Sequence, residues 1–239
     1  MIEAFRSAAL GLAAGSEQLA VISTNMANVS TVGYKAKEAD FADTLYRASV
    51  QEGGGQVLVG SGVKMTEITS QTAPGALQQT GRMLDFAIEG DGYFCVQGED
   101  GRYYTRAGNF TLSQDGMLTA ADGKYVLSAE GEQLSLMDEN EEDGEAALEG
   151  FAQKIGVFTF PSPFGLTPAG DNQLVEGPGS GPAALAEGAA VRQGVLEGSG
   201  VDLASEMAKM IRAQRAFQAN ARMVTSADEI EETANALRA

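Results

Sequence analysis

The chain of 239 residues carries a formal net charge of −17, contains no histidine and is 44% hydrophobic. So acidic a surface repels phosphate backbones and anionic lipid headgroups, which argues against binding to nucleic acids or membrane surfaces. The lack of histidine removes the usual general base near neutral pH and the commonest metal ligand. The composition therefore predicts a folded protein that is not an enzyme and requires no metal ion or cofactor.

The sequence predicts neither a membrane anchor nor a cleaved leader. No stretch approaches the roughly 20 apolar residues that a membrane span requires, so direct membrane insertion is not expected. The N-terminus lacks a basic segment and carries Glu3 early, unlike a Sec-type signal peptide. If the protein leaves the cytoplasm, we expect another route. Cys95 is the only cysteine, which excludes an intrachain disulfide, and its apolar neighbours predict a small buried side chain.

The first 30 residues predict an α-helix with one apolar face. Hydrophobic and small residues recur there in alternating steps of three and four, which is a heptad pattern. They are Phe5, Ala8, Leu12, Gly15, Leu19, Ile22, Met26 and Val29. The pattern stops between Asn28 and Gly33, where Asn and Gly favour the end of a helix.

The middle of the chain predicts a β domain. Four Asp-Gly pairs lie beside short apolar or β-branched runs, and Asp-Gly is typical of hairpin turns because both residues tolerate positive φ. The pairs are Asp91-Gly92, Asp100-Gly101, Asp115-Gly116 and Asp122-Gly123. A role in turns explains these aspartates without assigning them a catalytic function. A hydrolase that uses Asp91 and Asp115 is the minor alternative.

A second amphipathic helix is predicted from about Leu203 to about Ala236. Asp202 precedes it as a candidate N-cap. Its stripe again steps by four and three and comprises Leu203, Met207, Met210, Gln214, Phe217, Ala221 and Val224. Glu206 and Lys209 are expected to pair on the outer face of this helix. The basic set of Lys209, Arg212, Arg215 and Arg222 is expected to form salt bridges with acidic neighbours.

These elements together predict an α+β protein. The N- and C-terminal helices would form a coiled-coil-like layer, with a central, mostly antiparallel β domain. The predicted segments are an N-terminal helical assembly segment, 1–35, a connecting segment, 36–75, the β domain, 76–194, and a C-terminal helical assembly segment, 195–239. Residues 51–55 indicate a flexible linker, and the acidic stretch 138–149 indicates a solvated loop.

Open apolar faces on two separated termini favour contacts between copies of the chain. The alternatives are a helical hairpin within one chain and a secreted binding module or adhesin built on the β domain. The predicted assembly seam has one side on each helix. Its residues are Phe5, Leu12, Leu19, Ile22 and Met26 on the first, and Leu203, Met207, Met210, Gln214, Phe217 and Val224 on the second.

Three co-linear motifs resemble the bacterial flagellar basal-body rod and hook protein family. The stretch NMANVSTVGYK, from Asn25 to Lys35, resembles the family's junction after its first helix. The internal stretches LDFAIEGDGYF and YTRAGNF are similar to its central domain. LEGSGVDL, which begins at Leu196, and QRAFQAN, which begins at Gln214, resemble its closing segment. The motifs span both termini and much of the middle in the family's order.

The resemblance implies a structural subunit of the rod that polymerises through its terminal helices into a helical tube and transmits torque from motor to hook. The segments around Phe164–Leu166 and Gly170–Asn172 favour the distal rod, with the proximal rod as the alternative. The implied partners are further copies of the chain, other rod and hook proteins, the flagellar type III export apparatus and, where present, bushing rings. The implied location is the extracytoplasmic basal body, reached without a cleaved signal peptide.

The junction motif has a structural role in this interpretation. It is expected to redirect the chain from the axial helix to the outer layers, with Gly33 in a conformation that glycine adopts most easily. Its residues are Asn25, Asn28, Thr31, Gly33, Tyr34 and Lys35.

Overall fold

The computed structural model describes residues 2–50, 56–135, 150, 152–186 and 188–237. In chain order, an N-terminal helix, Ile2–Ala27, is followed by a long series of short strands and then by a C-terminal helix, Leu203–Ala236. The strand pairs of the described residues are antiparallel. The predicted α+β class and the predicted bounds of the C-terminal helix are thereby confirmed. The predicted linker at 51–55 and acidic loop at 138–149 lie outside the described residues.

The strands are short, as the frequent turn residues predict. They are β1 Lys37–Asp43, β2 Tyr46–Val50, β3 Gln56–Gly60, β4 Val63–Ser70, β5 Leu77–Gln79, β6 Phe86–Glu89, β7 Tyr93–Gly98, β8 Gly101–Thr105, β9 Thr111–Leu112, β10 Leu118–Thr119, β11 Tyr125–Val126, β12 Val157–Thr159, β13 Thr167–Gly170, β14 Gln173–Val175, β15 Ala184–Leu185, β16 Ala190–Gln193 and β17 Val195–Glu197. One 3₁₀ turn spans Pro163–Gly165.

The chain divides into two compact units, each assembled from separate segments. The helical unit comprises Met1–Ala27, Lys37–Ser70 and Asp202–Ala239. The β unit comprises Asn28–Ala36 and Gln71–Val201. The division into four consecutive segments drawn from the sequence stays a prediction, which isolated fragments would test.

The helical unit holds both helices and two small antiparallel ladders. The C-terminal helix starts where the Asp202 side chain accepts a hydrogen bond from the backbone N–H of Ala204 at 3.2 Å. β1 pairs with β4, and β2 pairs with β3. The N-terminal helix packs against β1, β4 and the C-terminal helix. This packing is what stabilises a helix of such length in water.

The β unit is organised by β7, which is buried on both faces. Successive side chains of a strand point to opposite faces. Phe94 and Val96 belong to one hydrophobic cluster, and Tyr93 and Cys95 belong to the other. The Cys95 thiol is buried as predicted, and burial raises its pKa to about 11, which keeps it protonated at neutral pH.

The Asp-Gly pairs form turns, but not of the kind in which both residues adopt positive φ. Only the glycine does so, for example Gly116 at +75° and Gly123 at +88°. The backbone N–H of Gly123 donates to Ala120 O at 2.9 Å, and that of Gly116 donates to Ser113 O at 3.0 Å. Asp115 and Asp122 therefore each precede a left-handed glycine that closes a turn, whereas Gly92 and Gly101 have φ of +136° and +140°.

A fragment of residues 71–201 is expected to fold alone as a soluble monomer, because the two larger hydrophobic clusters of the β unit lie within it. The shorter fragment 76–190 lacks Glu197, which is the carboxylate beside the buried Arg106. Its free energy of unfolding is expected to be lower by about 3 kcal/mol or more. Size-exclusion chromatography and urea unfolding followed by circular dichroism would measure both. An unfolded 71–201 fragment would refute the independent β domain.

Candidate assembly site

The last turn of the N-terminal helix carries Asn25, whose buried side chain forms hydrogen bonds through both its amide nitrogen and its amide oxygen. Its Nδ2 donates to Lys37 O at 2.7 Å and to Glu206 Oε2 at 3.2 Å. Its Oδ1 accepts from the Lys37 N–H at 2.9 Å. Only an amide offers a donor and an acceptor in this geometry, since a carboxylate has no proton to donate. Asn25 therefore fixes the start of β1 and the start of the C-terminal helix at one point of the helical unit.

Glu206 was predicted on the outer face of its helix, and this prediction was wrong. The residue is only 3% exposed, whereas Met207 beside it is 50% exposed. Lys209 Nζ donates to Glu206 Oε1 at 2.8 Å, and Asn25 supplies the second hydrogen bond. These two partners allow a carboxylate to be buried, because its charge and its lone pairs are satisfied. No local pattern in the sequence signals this arrangement.

The two helices run antiparallel within the chain, as the helical hairpin alternative describes. Along the N-terminal helix, Gly11 lies against Asn220 and Gly15 lies against Phe217. A Cβ added at Gly11 would come within 2.6 Å of the Asn220 amide. The small residues thus allow a close approach that a larger side chain would prevent.

The residues of the C-terminal helix that face the N-terminal helix are not the same set as the predicted stripe. The row nearest the N-terminal helix uses Glu206, Ala213 and Asn220, three residues that the stripe omitted. Ile22 is the one predicted seam residue that is buried, at 3%. Those that are half-buried are Leu12, Leu19, Met26, Met210 and Val224, and those that are exposed are Phe5, Leu203, Met207, Gln214 and Phe217. Their role between subunits stays a prediction.

The basic set on the C-terminal helix was expected to be paired, and this expectation was mostly wrong. Only Lys209 forms an ion pair, with Glu206. Arg212, Arg215 and Arg222 are exposed, and no acidic side chain of the described residues lies within ion-pairing distance of them. The physical reason is spacing, since no acidic residue lies three or four positions from Arg212, Arg215 or Arg222 along the helix.

The remainder of the junction motif belongs to the β unit. Thr31 donates its hydroxyl to Asn28 Oδ1 at 3.0 Å, and Asn28 O accepts from the Ser199 hydroxyl at 2.9 Å. Gly33 has φ of +65°, and a Cβ there would lie 2.6 Å from the Arg106 carbonyl carbon. Tyr34 is buried in a small cluster with Ala36 and Val201. The motif thus forms a compact turn whose hydrogen bonds and packing reach the end of the β unit.

Lys35 ends the motif in a buried ion network of three side chains. Its Nζ donates to Glu197 Oε1 at 2.6 Å and to Ala73 O at 2.8 Å. Arg106 Nη1 donates to Glu197 Oε2 at 3.2 Å, and the Gly75 N–H donates to Oε1 at 2.7 Å. We call Lys35, Arg106 and Glu197 the ion triad. Burial lowers the pKa of the Lys35 amino group, and its hydrogen bond to Glu197 opposes that shift.

In the ion triad, the carboxylate of Glu197 pairs with two cationic side chains, Lys35 and Arg106. The side chains of Glu197 and Arg106 are 1% and 4% exposed, and the Arg106 Nε has no hydrogen-bond partner among the described residues. Glu197 is therefore the group on which burial of both cations depends. Sequence analysis identified Lys35 but missed both partners, which lie 162 and 71 positions away in the chain.

Metal-ligating side chains do not cluster in the described part of the chain. Within the described ranges, the Asp, Glu and Cys side chains form no group of three or more that could hold a metal ion. Over the same part of the chain, neither helix combines the length and hydropathy of a membrane span. The helical unit thus contributes a helix pair, and the β unit contributes a turn and a buried ion network.

Family models match three parts of the chain. The model described as Flagella basal body rod protein matches residues 5–35, which contain most of the N-terminal helix and the junction motif. The Flagellar hook protein FlgE/F/G D1 domain matches residues 87–154. The Flagellar basal body rod FlgEFG protein C-terminal model matches residues 192–237.

Full-length relatives agree with these matches. The flagellar basal-body rod protein FlgG of Bacillus subtilis (strain 168) is 36% identical over 96% of this chain and 97% of its own length. FlgG of Caulobacter vibrioides is 33% identical over 99% of this chain and 100% of its own. FlgG of Agrobacterium fabrum is 32% identical over 96% and 97%. On this similarity, which includes both helices and the β unit, the chain belongs to the flagellar basal-body rod and hook protein family.

Proposed function

We propose that this chain is a subunit of the distal part of the flagellar rod, which polymerises into a helical tube and transmits torque from motor to hook. The observation that carries the proposal is the helix pair, whose large apolar side chains remain half exposed after the helices have packed together. Met207 and Ile211 are each 50% exposed, and Leu203 is 44% exposed. A folded monomer gains little from such side chains, whereas a neighbouring copy would bury them.

The structural role fits the chemistry of the chain. Torque transmission requires rigid elements and repeated contacts, and neither requires a reactive group. The relatives that share the full length of the chain bear the name of the rod protein FlgG. That name supports the distal rod over the proximal rod.

The proposal extends to partners and location. Other rod and hook proteins would contact the ends of the polymer formed by this chain, and bushing rings would surround it where they are present. The subunit would reach the extracytoplasmic basal body through the flagellar type III export apparatus.

Electron microscopy of basal bodies from a strain that lacks this protein would test the proposal. We expect rods that stop short of the hook, and expression of the wild-type chain should restore their length. A rod that is missing from its proximal part onward would assign the chain to the proximal rod. Complete rods and hooks in the deletion strain would refute the structural role.

A further inference from the structure

The far end of the C-terminal helix has no packed face. Residues 228–237 are all exposed, including Ile230 at 51% and Leu237 at 85%. The antiparallel register, in which Gly11 lies against Asn220 and Asn25 binds Glu206, puts residue 230 opposite the start of the N-terminal helix. The helix therefore continues past its partner. Helices in water depend on such tertiary packing for most of their stability.

This end of the helix is also strongly acidic. We call residues 228–237 the acidic tail, because they contain Asp228, Glu229, Glu231 and Glu232 and no basic residue. Like charges three or four positions apart destabilise a helix, and Asp228 stands at that spacing from Glu231 and Glu232, as Glu229 does from Glu232. Within the described part of the chain, none of the four lies within ion-pairing distance of a basic side chain. A cationic partner would relieve the destabilisation of the tail and would give its carboxylates ion-pair partners.

The same helix carries a matching cationic surface. Arg212, Arg215 and Arg222 are exposed on one side of the helix, away from the buried Ala213, and we call them the arginine face. Copies of a chain with a net charge of −17 repel one another at long range. The arginine face is therefore a place where the acidic tail of another copy is attracted.

We propose that the acidic tail of one copy docks against the arginine face of the next copy, head to tail along the helix axis. The proposal rests on the proposed function, in which copies share one orientation in a polymer. Arg215 and Glu229 are separated by about 21 Å along the helix, at about 1.5 Å per residue. An axial shift of that size brings the two surfaces together without reversing either chain, and a contact of this kind propagates.

Charge reversal in the full-length chain tests the proposal. One variant is R212E/R215E/R222E, and the other is D228K/E229K/E231K/E232K. Each alone is expected to raise the critical concentration for assembly, measured by sedimentation and electron microscopy, by about tenfold or more, as the loss of several exposed ion pairs implies. An equimolar mixture should assemble again, because each variant then meets a complementary surface on the other. Added salt should narrow the difference between the wild-type chain and the reversal variants, because it screens the interactions of exposed charges.

The matched control for the tail variant is E99K/D100K/E130K/E132K, which makes the same change in net charge at exposed positions of the β unit. It should assemble like the wild-type chain. If both reversal variants also assemble normally, the proposal is overturned and a different protein covers the tail. If each variant fails but the mixture fails as well, complementary docking is likewise overturned. A wild-type chain that never self-associates would instead contradict the proposed function.

Discussion

The variant E197Q is expected to lower the free energy of unfolding by about 3 to 5 kcal/mol, the cost of leaving buried charges without their partner. Glu197 is the carboxylate that accepts from both Lys35 and Arg106, and its side chain is 1% exposed. The neutral amide cannot compensate two buried cations, and the Arg106 Nε already lacks a partner among the described residues. Urea unfolding of the wild-type and variant chains, followed by circular dichroism, would measure the loss.

The control for this prediction is E176Q. Glu176 is an exposed carboxylate that accepts one hydrogen bond, from the Tyr104 hydroxyl at 2.7 Å. Its loss should cost about 1 kcal/mol or less. Adding K35M to the E197Q chain should recover part of the stability, because it removes one of the unpaired cations. Equal losses in E197Q and E176Q would show that the ion triad does not anchor the junction motif.

The double variant M207D/I211D is expected to prevent polymerisation while leaving the fold intact. Both side chains are 50% exposed, so the isolated chain can accommodate aspartate at these positions. A neighbouring copy that buries them would instead have to dehydrate two carboxylates, as well as lose the apolar contact. We expect the critical concentration for assembly to rise by about 100-fold, which corresponds to about 3 kcal/mol per contact.

The matched control is S205D/Q218D, which adds the same charge at exposed polar positions of the same helix. Sedimentation and negative-stain electron microscopy would compare the polymers, and circular dichroism would verify that both variants remain helical. Phe217 is a less suitable target, because its ring also contacts Gly15 within the chain. Normal polymers from M207D/I211D would exclude this face from the assembly seam.

Local patterns explain why the sequence predicts the elements well. The C-terminal helix follows from its periodicity and from Asp202, whose side chain caps the first turn. The strands of the β unit follow from apolar runs separated by Asp-Gly turns. Heptad spacing, capping and turn propensity act between residues close in the chain, so the sequence displays them directly.

The partners of charged groups depend on tertiary structure instead. Lys35 meets Glu197 across 162 positions, and Asn25 meets Glu206 across 181. The sequence around Glu206 is the same as would be expected for an exposed glutamate that pairs with Lys209 on the outer face of the helix. Its burial depends on an amide supplied by the other helix.

The sequence by itself determined that two amphipathic helices flank a β domain and that the chain resembles the rod and hook family. Only the tertiary structure decided that the helices pair within the chain, which row of the C-terminal helix they use, and which apolar and charged side chains remain exposed. The physical reason is that Gly11 and Gly15 allow two helices to meet closely along a row that includes Ala213, and the periodicity of one segment does not reveal which surface of a distant segment fits against it.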